Sequence, residues 1–227
     1  MEMQLYILVQ ANQYRKYEDL LDQSFRLRKR VFADQLGWEV ATCGPYERDI
    51  YDDLKPAYLI WCDTHQTQLY GSVRLMPTTG PTLLYDVFRD TFPGSCDLVA
   101  PSIWEGTRMC IDVEAIARDM AGLSPDRAFC LLLLALCEIA LDNGIETLIS
   151  NYEPHMSRIY ERAGAELDEL GRAVGYGRFP VCCGAFEVSQ RVLTNMRNKL
   201  NVVDELYKRP SYSRSNERAP ATPSVRV

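Results

Sequence analysis

Glu47, Asp49, Asp52 and Asp53 crowd within seven residues around Arg48, and an aromatic pair, Phe32 and Trp38, stands just upstream. Acids beside aromatic faces suit a cation: the carboxylates attract an ammonium or sulfonium, and a ring face adds roughly 0.5–2 kcal/mol depending on exposure. A solvated acidic loop capped by Asp-x-x-Asp turns would carry the same letters. The arginines at the ends of apolar segments shift the balance, Arg74 in Gly71-Ser-Val-Arg-Leu75 and Arg108 in Trp104-Glu-Gly-Thr-Arg108. A buried guanidinium is costly unless paired, so Arg28, Arg74 and Arg108 are expected to pair with Glu47, Asp49, Asp52 and Glu105. The cluster from Arg28 to Arg108 is therefore the candidate active site, with purely structural ion pairing as the alternative.

The elements that must position it can be read from hydrophobic period. Residues 3–10 alternate as a strand, and 13–36 carry apolar positions at helical spacing up to Gly37. The polar stretch 39–56 has no period and reads as a long functional loop. Ala57–Cys62 and Gln68–Met76 flank a polar turn as an antiparallel hairpin. Ile103–Val113 reads as a strand. Ser124-Pro-Asp-Arg127 opens a helix, closed at Gly144, whose apolar middle demands burial between layers. Ile145–Ser150 is a strand, 154–163 a helix stopped at Gly164, Val181–Val188 a strand and 189–207 helical. No internal repeat is evident, and the Pro-, Ser- and Arg-rich last twenty residues read as disordered.

Composition sets the class. With 227 residues, 47% of them apolar and 25% charged, the chain suits one α/β domain with one sizeable core. The opening decapeptide lacks a basic n-region and a cleavage site, and no apolar run nears the roughly 18 residues of a membrane span, so the expectation is a cytoplasmic protein without stable membrane association. Eight cysteines without C-x-x-C spacing read as reduced and buried, and two histidines are too few for a metal site, so neither disulfides nor metal are expected. A net charge of −6 argues against nucleic-acid binding. Arg26, Arg28, Lys29 and Arg30 read as a solvated face.

Arg28-x3-Phe32-x5-Trp38, Glu47-x-Asp49-x2-Asp52, Arg74, Phe88 and Glu105-x2-Arg108 together resemble the signature of the acyl-homoserine-lactone synthases. The likeness spans roughly residues 3–200, including Arg-Leu-Met-Pro-Thr around 76 and Ile-Trp-Glu around 104. Gly44-Pro-Tyr-Glu-Arg-Asp, Leu84-Tyr-Asp-Val-Phe and Ser150-Asn-Tyr-Glu-Pro further resemble the rhizobial branch that makes long-chain signals.

The resemblance implies an N-acetyltransferase-like mixed sheet flanked by helices, with a synthase domain over 1–207 and a basic tail over 208–227. It also implies a quorum-sensing acyltransferase. Acyl carrier protein would deliver a thioester, the amine of S-adenosylmethionine would attack it, and the methionine carboxylate would then close the lactone and expel methylthioadenosine. S-adenosylmethionine is a substrate in this scheme, and no cofactor is expected. By family position Arg28, Phe32, Trp38, Asp49, Asp52, Arg74, Phe88 and Arg108 would bind it, and Glu105, Arg108 and Glu47 would be catalytic. Glu105 is the candidate general base, with a bridging water as the alternative. Replacing Trp38 or Glu47 with alanine is expected to abolish S-adenosylmethionine binding without unfolding.

The acyl chain is expected against Leu131, Leu134, Cys137, Leu148, Ser150 and Tyr152, with Tyr152 standing where many relatives of 3-oxo preference carry threonine. Arg158 and Arg162, four apart, would dock the acidic carrier, the alternative being pairing with Glu161 or Glu166. An acetyl-coenzyme A N-acetyltransferase would show a pyrophosphate loop between a strand and a helix. Arg172-Ala-Val-Gly175-Tyr-Gly177 has such letters but precedes a strand, which reads as a turn. A noncatalytic acidic binding module would lack the Glu105–Arg108 strand end and the aromatic pair.

Overall fold

In the computed structural model, which describes residues 4–208, seven strands form one sheet in the order β1-β4-β5-β6-β7-β9-β8. These are β1 (Gln4–Val9), β4 (Ala57–Asp63), β5 (Leu69–Pro77), β6 (Ile103–Ile111), β7 (Thr147–Tyr152), β8 (Leu167–Ala173) and β9 (Val181–Glu187). All neighbours are antiparallel except β6 and β7. β4 shows why the sheet must be covered on both sides. Tyr58, Ile60 and Cys62 pack under α1 (Glu18–Arg28), while the alternate Leu59 and Trp61 join the core around α5 (Pro125–Asp142).

On the α5 side α4 (Val113–Asp119), α6 (Ser157–Ala163) and α7 (Gln190–Leu200) complete the layer. α5 opens as expected, Ser124 Oγ accepting the Arg127 N–H at 3.3 Å, and lies buried along most of its length. Buried Glu138 on α5 accepts hydrogen bonds from Arg197 and from the N–H groups of Leu206 and Tyr207, which holds the chain end across the helix layer. The other side is uneven. α1 covers the β1–β6 half, whereas Ile149 and Cys183 are capped by the irregular segment carrying Leu84, Phe92 and Leu98.

Several expectations need adjustment. The loop 39–56 is not structureless: it forms a two-residue-per-strand hairpin, β2 (Thr42–Cys43) with β3 (Tyr46–Glu47), and a short helix α2 (Ile50–Asp53). The first helix loosens after Arg28 into a wider turn over Lys29–Gln35, in which the Leu36 N–H reaches the Val31 carbonyl at 3.0 Å, before Gly37 reverses the chain at φ +66°. β8 and α4 went unread. β8 alternates weakly because none of its residues is fully buried and a register shift between Glu169 and Gly171 interrupts the period, and α4 follows its strand with a single intervening residue. α7 ends at Leu200, where Asn201 turns left-handed at φ +49°, short of the expected 207. Seven cysteines are buried or half-buried and free, while Cys43 is exposed. The tail reading from residue 209 onward falls outside the described residues.

Candidate active site

Six buried or nearly buried charges meet where α1, the β3–α2 segment, β5 and β6 converge. Arg28 Nε donates to Glu47 Oε2 at 2.5 Å, and its terminal nitrogens grip Asp52 at 2.8 and 2.9 Å. Arg74 holds Asp49 at 2.5 and 3.0 Å and lies 3.1 Å from Asp52. Arg108 donates to Glu47 at 2.9 Å and to Asp49 at 3.2 Å. Three guanidinium groups thus balance three carboxylates. The cluster is neutral, not the net acidic pocket that the loop's letters suggest.

Local chemistry explains the spacing of the acids. Asp49 caps α2, accepting the Tyr51 N–H at 3.0 Å, while Asp52 reaches back to the Asp49 N–H at 2.9 Å. The capped turn and the ion network are therefore the same residues, so the two readings of Asp-x-x-Asp hold together. Asp52 is held below the usual carboxylate range: burial opposes ionisation, but the Arg28 hydrogen bonds and charge and the Arg74 charge outweigh it. Asp53 instead pairs with Arg48 at the surface. Arg28 leaves the expected solvated face altogether; Arg26, Lys29 and Arg30 keep to it, paired with Asp22, Asp34 and Asp112.

Only the outer edge of the network meets solvent. Asp49 and Arg108 side chains are 12% and 11% exposed, whereas Glu47, Asp52 and Arg74 are sealed. Arg108 gets there through a bulge: pairing passes from Ser72–Cys110 to Arg74–Thr107, leaving an extra residue on β6, and Arg108 adopts φ +54°. For a residue with a Cβ that conformation costs on the order of 1 kcal/mol or more, which the two carboxylate bonds offset.

Aromatic rings wall this edge on two sides. Phe32 and Trp38 stack at 5.2 Å with the Arg108 guanidinium 5.6 Å over Phe32. Phe88 packs against the cluster of Tyr51, Met76 and Leu83, and the Tyr51 ring lies 5.6 Å from the Arg74 guanidinium. Tyr51 was not singled out in the sequence, although its place inside the acidic run was a signal.

Glu105 corrects the pairing scheme. It is wholly buried but makes no ion pair: Oε2 accepts the Leu83 N–H at 3.1 Å and Oε1 has no hydrogen-bond partner. Burial pushes its carboxyl up to about 7, against smaller lowering effects from Arg74, from backbone N–H groups of Leu84 and Leu83, and from Arg108. The physical reason is supply. Each nearby arginine is already paired with the loop acids, so the strand carboxylate is left to the N–H at the start of α3 (Leu83–Asp86).

Beside Glu105 the sheet opens. β6 and β7 pair only from Ile103–Thr147 to Glu105–Ile149, after which Ser150 Oγ donates to the Gly106 carbonyl at 2.9 Å and the strands part. An apolar cavity lies behind the parting, with about 610 Å³ of unfilled space including its mouth. Of the residues expected along an acyl chain, Cys137, Leu148 and Ser150 line this cavity and Leu131, Leu134 and Tyr152 lie outside its lining. Leu133 and Leu136 supply the α5 wall instead. Because α5 is apolar nearly all round, its sequence could not say which stripe faces the cavity. Tyr152 stands behind the lining, edge-on to Tyr160 at 5.3 Å. Nearby, a Cβ on Gly184 would lie 2.8 Å from the Tyr152 ring and 2.3 Å from the Leu167 side chain, so a larger residue there requires them to shift.

On α6 Arg162 pairs with Asp126 and Arg158 is exposed; Glu166 pairs with Arg191, so the alternative pairing expected for these arginines is not formed.

A family model described as autoinducer synthase matches residues 12–195. An acyl-homoserine-lactone synthase of Rhizobium etli is 40% identical over 154 residues, 67% of this chain and 70% of that protein. One of Agrobacterium fabrum is 31% identical over 188 residues, 80% and 88% of the two chains. Among solved structures, a CoA-dependent acyl-homoserine lactone synthase, BjaI, with SAM and isopentyl-CoA aligns at TM-score 0.77 and 25% identity over 89% of this chain and 92% of that one. The synthase LasI aligns at TM-score 0.72 and 23% identity over 88% and 95%, a likeness of fold. The sheet with its flanking helices is accordingly N-acetyltransferase-like. The chain belongs to the autoinducer synthase family and is an enzyme of the acyl-homoserine-lactone synthase type.

Proposed function

We propose that the chain acylates the amine of S-adenosylmethionine with a long-chain acyl group carried on acyl carrier protein and then closes the lactone. The observation that carries this reading is the adjacency of three things. Strand β6 carries Arg108, at the neutral edge between aromatic walls, and the buried carboxylate of Glu105, which makes no ion pair, while its Gly106 and Met109 line the apolar cavity.

An amino-acid sulfonium makes matching demands. Its carboxylate suits Arg108, its amine suits Asp49, and its cationic sulfur suits the faces of Phe32, Trp38 and Phe88. Arg28, Glu47, Asp52 and Arg74 then brace the edge. Glu105 takes the proton as the amine attacks the thioester carbonyl, directly or through one water. A group poised near 7 can accept that proton at neutral pH, where an ordinary glutamate is too weak a base. The C–S bond of the thioester breaks and the carrier thiol leaves. The methionine carboxylate next attacks the carbon beside the sulfonium, forming the ring C–O bond as methylthioadenosine departs with the C–S electron pair.

The acyl chain occupies the cavity lined by Leu133, Leu136, Cys137, Leu148 and Ser150. Arg158 and Arg162 on α6 offer positive charge toward an acidic carrier, Arg158 without an acid partner among the described residues.

BjaI is described as CoA-dependent, so the donor is the point to test. Purified protein with S-adenosylmethionine and matched C8 to C18 donors on carrier protein and on coenzyme A, followed for methylthioadenosine and lactone, decides it. Faster lactone formation from carrier-bound long chains is expected. Preference for the coenzyme A series overturns the donor assignment, and acetyl transfer without lactone overturns the reading.

A further inference from the structure

The two aromatic walls of the site share a feature: each is fastened from outside by a side chain belonging to the C-terminal half. Trp38 follows the loosened end of the first helix and is among the more exposed large apolar residues, 36%. Its indole Nε1–H donates to Glu153 Oε1 at 3.2 Å, a contact spanning 115 residues that bridges from the N-terminal half to the end of β7. The Glu153 side chain is only 17% exposed, with the His155 Nδ1 3.5 Å from its other oxygen.

The second wall is fastened by the segment whose letters suggested a pyrophosphate loop. Arg172-Ala-Val-Gly175-Tyr-Gly177 ends β8 and turns toward β9. Gly175 and Gly177 both have positive φ, +103° and +148°, conformations that L side chains rarely adopt, so Tyr176 is presented from a tip shaped by its two glycine neighbours. Its ring meets that of Phe88 at 5.0 Å. Its hydroxyl lies 2.8 Å from the Val87 carbonyl and within hydrogen-bond reach of the Asp90 carboxylate, either of which can accept its one proton, so it is tied to a residue on each side of Phe88.

Two chains of contact result: Glu153–Trp38–Phe32–Arg108, and Tyr176–Phe88 onto the cluster of Tyr51, Met76 and Leu83, whose Tyr51 ring faces Arg74. They approach the ion network from different sides and end on different arginines. Neither fastening residue touches the network.

We propose that Glu153 and Tyr176 are positioning residues that hold the two aromatic walls of the substrate site in place. The proposal rests on those walls enclosing S-adenosylmethionine. Each residue acts through the ring it holds, so its loss loosens substrate capture more than chemistry.

Substrate kinetics with S-adenosylmethionine test this with paired variants. Losing one such hydrogen bond corresponds to roughly a fivefold rise in KM for Glu153→Ala, with kcat within about twofold. Glu153→Gln, which retains an oxygen to accept the indole N–H, should restore KM. Tyr176→Phe keeps the ring and loses the hydroxyl, so its KM should rise less than that of Tyr176→Ala, and the KM for the acyl donor should stay put. Unchanged KM in both alanine variants, or equal losses in Glu153→Ala and Glu153→Gln, overturns the proposal. Acrylamide quenching of tryptophan emission in the substrate-free protein reads the Glu153 fastening independently: Glu153→Ala should expose Trp38 to more quenching and Glu153→Gln should not. Equal quenching in the two variants overturns it as well. A wild-type enzyme that shows no dependence on S-adenosylmethionine would instead defeat the substrate reading, and quenching would still decide the fastening.

Discussion

Glu47 and Glu105 are equally buried, both 0% exposed, and lie against the same sheet, yet they occupy opposite electrostatic situations. Glu47 sits between Arg28 and Arg108 with both oxygens engaged. Glu105 has a backbone N–H on one oxygen and nothing on the other. Burial alone therefore does not decide what a carboxylate is for. A carboxylate gripped by guanidinium groups braces a surface, whereas one left without an ion pair is free to carry a proton.

The comparison can be broken most severely at Glu47. Glu47→Ala leaves Arg28 with a vacant partner in a sealed interior, which costs about 3–5 kcal/mol. Denaturant unfolding should show a large drop in midpoint, in contrast to the expectation from sequence that this variant keeps its fold. A stability within 1 kcal/mol of wild type, on the scale of ordinary surface changes, would remove the scaffold role.

Glu105→Gln should do the reverse: a large loss of turnover with no loss of stability. Removing a general base costs about 10²–10⁴-fold in kcat. The stability effect has a definite sign. Because the folded carboxyl is raised from 4.5 to about 7, the folded protein binds the proton more tightly than the unfolded chain, and stability falls as pH climbs through that window. Glutamine cannot ionise. Its advantage should be absent below pH 4.5 and grow to at most about 3 kcal/mol above 7, converted from the same rise. Thermal melts at pH 5 and pH 8 check this, and a variant less stable at pH 8 than wild type would contradict it.

The smallest effect is expected at the surface. Arg158→Glu should raise KM for the carrier-bound donor several-fold, as for a steering charge, and leave S-adenosylmethionine affinity alone. Arg162→Glu should behave less cleanly because it also breaks the pair with Asp126.

How far these roles were legible depends on chain distance. The acids of the 47–53 segment and the arginine partners could be read from local spacing, because Asp49 and Asp52 cap their own helix and strand-end arginines need acids. Glu105 was singled out, but its isolation was not visible, since it depends on which of six charges reach one another in space. The strand and helix order was largely readable from period. β8, with no fully buried residue and a break in register, lacked the contrast that such reading needs, and the lining stripe of α5 was hidden by uniform apolarity. The bulge at Arg108 breaks no residue preference that sequence displays. The fastening by Glu153 and Tyr176 joins segments about 90 to 115 residues apart, beyond any local pattern.

The most direct measurement is a carboxyl-carbon NMR titration of Glu105 in the substrate-free enzyme, its resonance identified by its absence from Glu105→Gln. A midpoint near 7 is expected. Titration alongside ordinary glutamates, near 4.3, would contradict the contrast between the unmatched and the matched carboxylate.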